Sequence, residues 1–513
     1  MEKDRLATRD PLLSPDRKGK RPMRKLTRRD FLRLSAAAAT GAIVAACAPA
    51  APQIVEVEKE VPVEKKVVET VIVEKEVVVE KPVKAVELRV IWRTDPGENK
   101  GLEAEIESWE AKHPNVSVKQ VYAPWDEFEP KLMTMYAGEV APDIIGTGGT
   151  NPYGERFVRG MVLALDPYLD TEPELKEDFY PIGIRSYTMQ GKIIGLPITI
   201  AWPGVFYNAT LFDEAGVDYP PVDWKGSGWT WGDMIETAKK LTLDKNGDGK
   251  IDQYGLQPGH SSPWYYTRLW GEDLISEDDY KTRILHKWQT DDPDVYNACV
   301  NGLQARADAI YEHKVTPTPA TMSAISEMGS PLKTGVLAMN FTGGWAVAPP
   351  LPEKFKYGAA ANPLGGEHGE GTRANNEWVD PFQITDQSAN PDAAWEFIKY
   401  MVSDKEAVRI RVTYGYFVPS VQSGFPIWME EYAPGLTAMS AADVEKTILG
   451  GLEVATADVP CHGIVGWSSI RDIFRGESEP VWLGDKSAKE AVDAMIPLVQ
   501  ERLQENLETL GLD

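Results

Sequence analysis

From Val86 onward the apolar positions follow two periods in turn. "VELRVIW" is a near-continuous apolar run of strand length. "GLEAEIESWEAKH" repeats apolar side chains at Leu102, Ile106 and Trp109, the spacing of one helix face. "NVSVKQVYA" predicts a second strand, "EPKLMTMYAG" a helix and "PDIIGT" a third strand. This alternation predicts an α/β sheet with parallel strands. The pattern changes around "GLPITIAWPGVFYNATLFDEAGV", where a second unit of helices and short strands begins. "GVLAMNFTGGW" then reads as an apolar strand running into a Gly-rich turn, and "NPDAAWEFIKYMVS" as an amphipathic helix. The tail "SAKEAVDAMIPLVQERLQENLETLG" predicts a terminal helix, with Pro497 as its expected break.

Before Val86 the pattern is of another kind. Ile54 to Lys84 hold 12 Val, 8 Glu and 6 Lys, with neither Gly nor an aromatic residue. Such a segment favours extended backbone and lacks the large side chains of a core, so residues 47–85 read as a tether. An edge strand or a coiled coil is the competing reading of its regular valines. Residues 1–46 carry 12 Lys/Arg against 5 Asp/Glu. Within them "TRRDFLR" precedes the mild apolar run "LSAAAATGAIVAA", the order of a twin-arginine export signal too short to stay as a membrane span. The run closes on "VAAC", the pattern of a lipobox cleaved before Cys47. Cys47 is therefore the expected lipidation site, and a diacylglyceryl group there would supply the two chains that stable anchoring needs. An ordinary N-terminal helix with a chance arginine pair is the alternative.

Composition bounds the remainder. The 513 residues suffice for two cores, with 42% hydrophobic and 26% charged residues. A net charge of −24 argues against nucleic acid as a partner. Cys299 and Cys461 carry no pairing signal in their spacing.

"LTLDKNGDGKIDQYG" places Asp244, Asn246, Asp248, Gly249 and Asp252 at positions 1, 3, 5, 6 and 9 of an EF-hand loop. Position 12 is Gly255 where the motif needs a bidentate Glu, and no exiting helix follows. Only the entering helix fits, with Thr230 and Asp233 spaced for a capping box. A structural turn and a weak calcium site at Asp244, Asn246, Asp248 and Asp252 both remain open; no cofactor is otherwise required.

Six segments in order, "APDIIGTGGT", "GLPITIAWPGVFYNATLFDEAGV", "WTWGDMIETAKKLT", "GVLAMNFTGGWAV", "NPDAAWEFIKYMVSDKEA" and "GYFVPS", resemble the family 1 extracellular solute-binding proteins of ABC importers, the maltose-binding-like group. The resemblance implies an α/β, two-lobe periplasmic-binding-protein fold with hinge crossovers and an interlobe ligand cleft. It implies one lobe from 86–198 and 340–402, and a second from 199–339 and 403–513. The Asp244 turn then resembles a decoration that members carry after the "TW" helix. Function follows as capture of a sugar or oligosaccharide and delivery to ABC importer permease subunits, from a lipid anchor on the outer face of the cell membrane.

In open α/β sheets ligands bind beyond the carboxyl ends of strands. Arg93, Asp95 and Asn99 follow one such end, Thr147, Thr150 and Asn151 another, and Trp345 a third. Segment matching adds Trp467, while Trp202 stands at the lobe crossing; flat aromatic faces suit the C–H faces of a pyranose. Asp95 matches a sugar-hydroxyl acceptor of maltose-type members, whereas Gly146-Thr147 stands where those members have an aromatic. Residues Pro197 to Trp202 and Met339 to Thr342 are the expected hinge. "GTGGTNPYG" lacks the dinucleotide-loop spacing, and neither a metalloprotease nor a nucleophile-elbow motif occurs. An exported glycosidase-type enzyme and a calcium-binding surface lipoprotein are the alternatives to a binder, which would return its sugar unchanged.

Overall fold

Strand β1 (Val86–Arg93) takes up the first apolar run and pairs in parallel with β2 (Val116–Ala123) along its full length, Val86 opposite Val116 and Arg93 opposite Ala123. On its other side β3 (Ile144–Ile145) is parallel too. The structure is a computed structural model. It describes residues 85–512 except 147–151, 227, 260–261, 416, 456 and 459–462, and only the backbone of 376, 377, 457 and 458. The twin-arginine segment, Cys47, the tether, and Cys461 lie outside the described residues.

Helix α1 (Pro96–Lys112) crosses back over the sheet with Leu102, Ile106 and Trp109 buried, as their spacing requires. A small hairpin joins β4 (Thr188–Met189) to β5 (Lys192–Ile193). Strands β6 (Leu196–Ala201), β11 (Asn376–Ile384) and β12 (Val418–Pro419) complete the first sheet in the order β12-β6-β11-β3-β1-β2, with β13 (Ala457–Asp458) beside β11. The second sheet runs β10-β7-β9-β8, built from β7 (Pro203–Asn208), β8 (Tyr254–Pro258), β9 (Leu337–Gly343) and β10 (Tyr357–Ala360).

The expectation of parallel strands holds for β1, β2 and β3 alone within the main body of the first sheet. β11 is antiparallel to both β3 and β6. A helical crossover within one sheet delivers a parallel strand. β11 arrives instead from the second sheet, which frees its direction.

Trp202 alone separates β6 from β7, so the chain passes from one sheet to the other within a single residue. It returns between Ala360 and Asn376. The expected split points after 198 and after 339 fall inside β6 and β9. Residues 340–360 do not join the first sheet, because β9 and β10 pair with β7.

Each sheet has its own core. Leu88, Val90, Trp109 and Phe382 pack on one face of the first sheet, and Ile91, Phe128 and Ile145 on the other. Phe212, Met234, Leu256, Phe341 and Trp467 form the core of the second. Between them a third cluster holds Trp202, Phe206, Tyr357 and Trp428. Among the described residues no helix is long and apolar enough to cross a membrane.

Helix α2 (Trp231–Leu241) begins with the anticipated capping box: Thr230 Oγ1 accepts from Asp233 N at 3.1 Å, and Asp233 Oδ2 from Thr230 N at 2.9 Å. Helices α3 (Pro391–Ser403) and α4 (Lys405–Tyr414) follow β11. The tail is a single helix, α5 (Ala488–Leu510), unbroken at Pro497. Buried Val492, Met495, Val499 and Leu503 hold both sides of the proline to the core, which offsets one missing N–H bond.

Candidate functional site

Two sheets that meet at a one-residue crossing leave their strand ends facing a common seam, and the polar and aromatic residues there come from four segments. Arg93 ends β1. Trp125 opens a 3₁₀ turn (Trp125–Glu127) just after β2. β11 carries Trp378 and Asp380 two residues apart, hence on one face. Trp345 sits in the 3₁₀ turn (Gly344–Val347) at the end of β9.

Arg93 is the centre of the first-sheet side. Its Nε donates to Glu98 Oε2 at 2.8 Å and its Nη2 to Glu98 Oε1 at 2.6 Å; Nη2 also reaches Asp380 Oδ2 at 3.2 Å. The guanidinium carbon lies 5.8 Å from the centre of the Trp125 ring and 5.9 Å from that of Phe417. Burial pushes the Glu98 carboxyl above its ordinary range, against the opposing pull of Arg93. Beside this group, between α1 and α4, is a small pocket open to solvent, lined among others by Arg93, Glu98, Asp380, Tyr414 and Phe417. Two helical turns beyond Glu98, Glu105 and Arg411 form a second ion pair at 2.7 Å. Desolvation raises the Glu105 carboxyl to about 7, with Arg411 pulling the other way.

On the second-sheet side Trp345 meets Trp378 edge-on, centroids 5.1 Å apart at 66°. Trp345 is 39% exposed and Trp125 40%, unusual for indoles and suited to a ligand face. The "TGGW" glycines have a steric reason. A Cβ on Gly343 would stand 2.1 Å from the Trp345 ring, and one on Gly344 2.6 Å from Trp202 Nε1. Two bare backbone positions let one indole fold outward and the other be capped from above.

The sequence-predicted residues divide. Trp345 is at the seam. Asp95 is the N-cap of α1, its Oδ1 accepting from Gly97 N at 2.9 Å and Glu98 N at 3.0 Å, so that oxygen is committed to the helix start. Asn99 packs its amide on the Arg93 and Asp95 carbonyls, 2.9 and 3.0 Å away with its nitrogen turned toward them. Thr147, Thr150 and Asn151 lie outside the described residues. Trp202 and Trp467 are displaced from the expected role. Trp202 is 2% exposed, edge-on to Phe206 at 4.8 Å and to Trp428 at 5.9 Å, and its Nε1 has no hydrogen-bond partner among the described residues. Trp467 is 1% exposed, with Trp264 edge-on at 4.6 Å and Phe474 at 5.9 Å. Both are covered by core aromatics and present no face to the seam. Sequence reasoning missed Trp125, Trp378, Glu98 and Asp380; "YAPWDEF" carries the same signal as "TGGW", an indole directly after a strand end.

In the Asp244 loop every candidate ligand is turned to the loop's own backbone. Asp244 Oδ1 accepts from Gly247 N at 2.7 Å and its Oδ2 from Gly249 N at 2.8 Å. Asn246 Oδ1 takes Asp248 N, Asp248 Oδ1 takes Lys250 N, and Asp252 Oδ2 takes Lys245 N, all within 2.9 Å. Gly255, at the position of the missing Glu, lies against α2: a Cβ there would be 2.0 Å from the Ala238 carbonyl oxygen. The close approach of β8 to α2 excludes a side chain at position 12.

One further contact joins the two sides. Arg283, in the left-handed region at φ 61°, follows a short second-sheet helix (Glu277–Thr282) and is 4% exposed. Its Nη2 donates to the Arg185 carbonyl at 2.9 Å, at the carboxyl end of the helix Pro181–Ser186. That helix is tied to the first sheet by Tyr180 N to Ser420 O, 3.0 Å, beside β12.

Comparison with known proteins agrees with this architecture. The model of the family described as bacterial extracellular solute-binding protein matches residues 94–408. A protein of Brucella abortus (strain 2308) is 24% identical over 387 residues, 74% of this chain and 83% of its own length. The lactose-binding protein of Rhizobium radiobacter is 24% identical over 324 residues, 60% of this chain and 68% of that one. In fold, an ABC substrate-binding protein from Listeria monocytogenes, solved in complex with cycloalternan, aligns with a TM-score of 0.65 at 22% identity, over 84% of this chain and 100% of the other.

Proposed function

We propose, from the premise that this chain belongs to the family of bacterial extracellular solute-binding proteins, that it captures a sugar or oligosaccharide at the seam between its two sheets and hands it to the permease of an ABC importer. The family is one of binding proteins, and the chain has the family's two-lobe α/β fold. The observation that carries the sugar reading is half-exposed Trp345 set edge-on to Trp378, with Trp125 and the Arg93–Glu98–Asp380 group beside Trp378 on the first-sheet side. Pyranose rings present apolar C–H faces to indoles and a rim of hydroxyls to charged acceptors. The ligands named for the relatives, lactose and cycloalternan, are of that chemistry.

The reading extends to an exported protein anchored through Cys47, and to a ligand that is bound and returned unchanged rather than hydrolysed. Titrating tryptophan fluorescence against a panel of oligosaccharides, with recovery of the sugar afterwards, tests both halves. Saturable quenching with intact sugar is expected. A released reducing end would make the protein an enzyme, and a flat response to every sugar would end the carbohydrate reading.

A further inference from the structure

An arginine at a strand end, set between two aromatic rings, is a natural recruiter of a ligand carboxylate, because its planar fork makes paired hydrogen bonds. Here the fork is already taken. Nε and Nη2 of Arg93 both bond to Glu98, and Nη2 also reaches Asp380. The three side chains are 13%, 9% and 14% exposed, so water screens them weakly. Two carboxylates share one edge of this guanidinium, and Asp126 and Glu127 stand beside Trp125 in the adjoining turn. The second guanidinium of the same cavity, Arg411, is held by Glu105.

We infer that Glu98 and Asp380 make this site select uncharged sugars over acidic ones, by holding Arg93 in carboxylate pairs and placing carboxylates at the rim. The inference deepens the sugar-binding reading above and rests on it. A uronate placed at the rim meets like charge with the Nε–Nη2 edge of Arg93 already engaged, and like-charge juxtaposition is an effective way to reject a ligand. A neutral sugar meets the same carboxylates as acceptors for its hydroxyls. Asp380 is the specificity lever, since Arg93 keeps Glu98 when Asp380 loses its charge.

The test is calorimetry on the full chain, first with maltotriose, mannotriose and lactose, then with the tightest of these and its C6-oxidised form, which differs by one carboxylate. Wild type should prefer the neutral sugar by at least about tenfold, as one unfavourable charge contact of about 1.4 kcal/mol implies. In Asp380→Asn, and independently in Glu98→Gln, that ratio should fall by about tenfold. Thermal melts identify a variant that has not folded, in which case the other decides. Equal affinity of wild type for both forms overturns the inference and leaves the sugar reading standing, as does an unchanged ratio in the folded variants. Binding of neither form, nor of any sugar offered, overturns the sugar reading and this inference with it.

Discussion

Indoles with the same signal in the sequence part company in the fold, and substitution separates their roles. Trp345 is half exposed, so Trp345→Ala should weaken sugar binding by about 1–3 kcal/mol with little change in thermal midpoint. Trp467 is sealed by Trp264 and Phe474, so Trp467→Ala should cost about 3–5 kcal/mol of stability. Calorimetry and urea melts on the two variants check this, and the reverse pattern would put the ligand face elsewhere. Glu105 offers a second measurement. Its folded-state pKa, about 7, lies above the ordinary 4.5. The stability that its neutral form contributes is therefore complete below pH 4.5 and lost as the pH rises through about 7. Between about pH 5 and about pH 7.5 wild type should lose stability relative to Glu105→Gln, by up to about 1.4 kcal/mol per pH unit. Parallel pH profiles would show that Glu105 does not titrate there.

Strands and loops were readable wherever neighbours in sequence decide them. Thr230 and Asp233 announce a helix start because the capping box is closed within four residues, and "VELRVIW" is a strand whose Leu88, Val90 and Trp92 share one buried face. The direction of β11 was not readable, since it depends on the chain's return from another sheet. Nor was the burial of Trp202 readable, since Trp428 lies far along the chain. The Asp244 loop was half legible: its Asx-rich turn is local, but the reason for Gly255 is a helix packed across it. That reason makes a prediction. Gly255→Glu should not create a calcium site; it should lower the thermal midpoint, because even the first side-chain carbon meets the Ala238 carbonyl. Calcium titration of the variant, followed by melting, is the check. In wild type a chelator is expected to leave sugar binding intact, and loss of binding on chelation would make Asp244 and Asp248 functional residues.

The chain passes between the two sides at Trp202, again along the return to β11, and once more between β12 and the Trp467 segment, and such crossings can absorb a rotation. Sugar touching both sides would favour closure, whereas contacts made equally in both states would shift nothing. The Arg283 contact with the carboxyl end of Pro181–Ser186 lies across the same divide. Arg283→Met should release it, expanding the sugar-free protein in small-angle scattering and weakening sugar affinity by about 1–2 kcal/mol. Unaltered radius and affinity would make the contact indifferent to lobe position. The Trp345–Trp378 pair has an optical consequence. Two indoles 5.1 Å apart and inclined at 66° couple their electronic transitions, and a coupled pair gives a signed couplet in circular dichroism. One ring belongs to β11 and the other to the turn after β9, so any rotation of one sheet against the other changes the angle that sets the couplet's size. Indole pairs buried within one core, such as Trp264–Trp467, keep their geometry and cancel in a sugar-minus-free difference spectrum. The protein thus carries its own unlabelled protractor, read by light at the place where the two sheets turn.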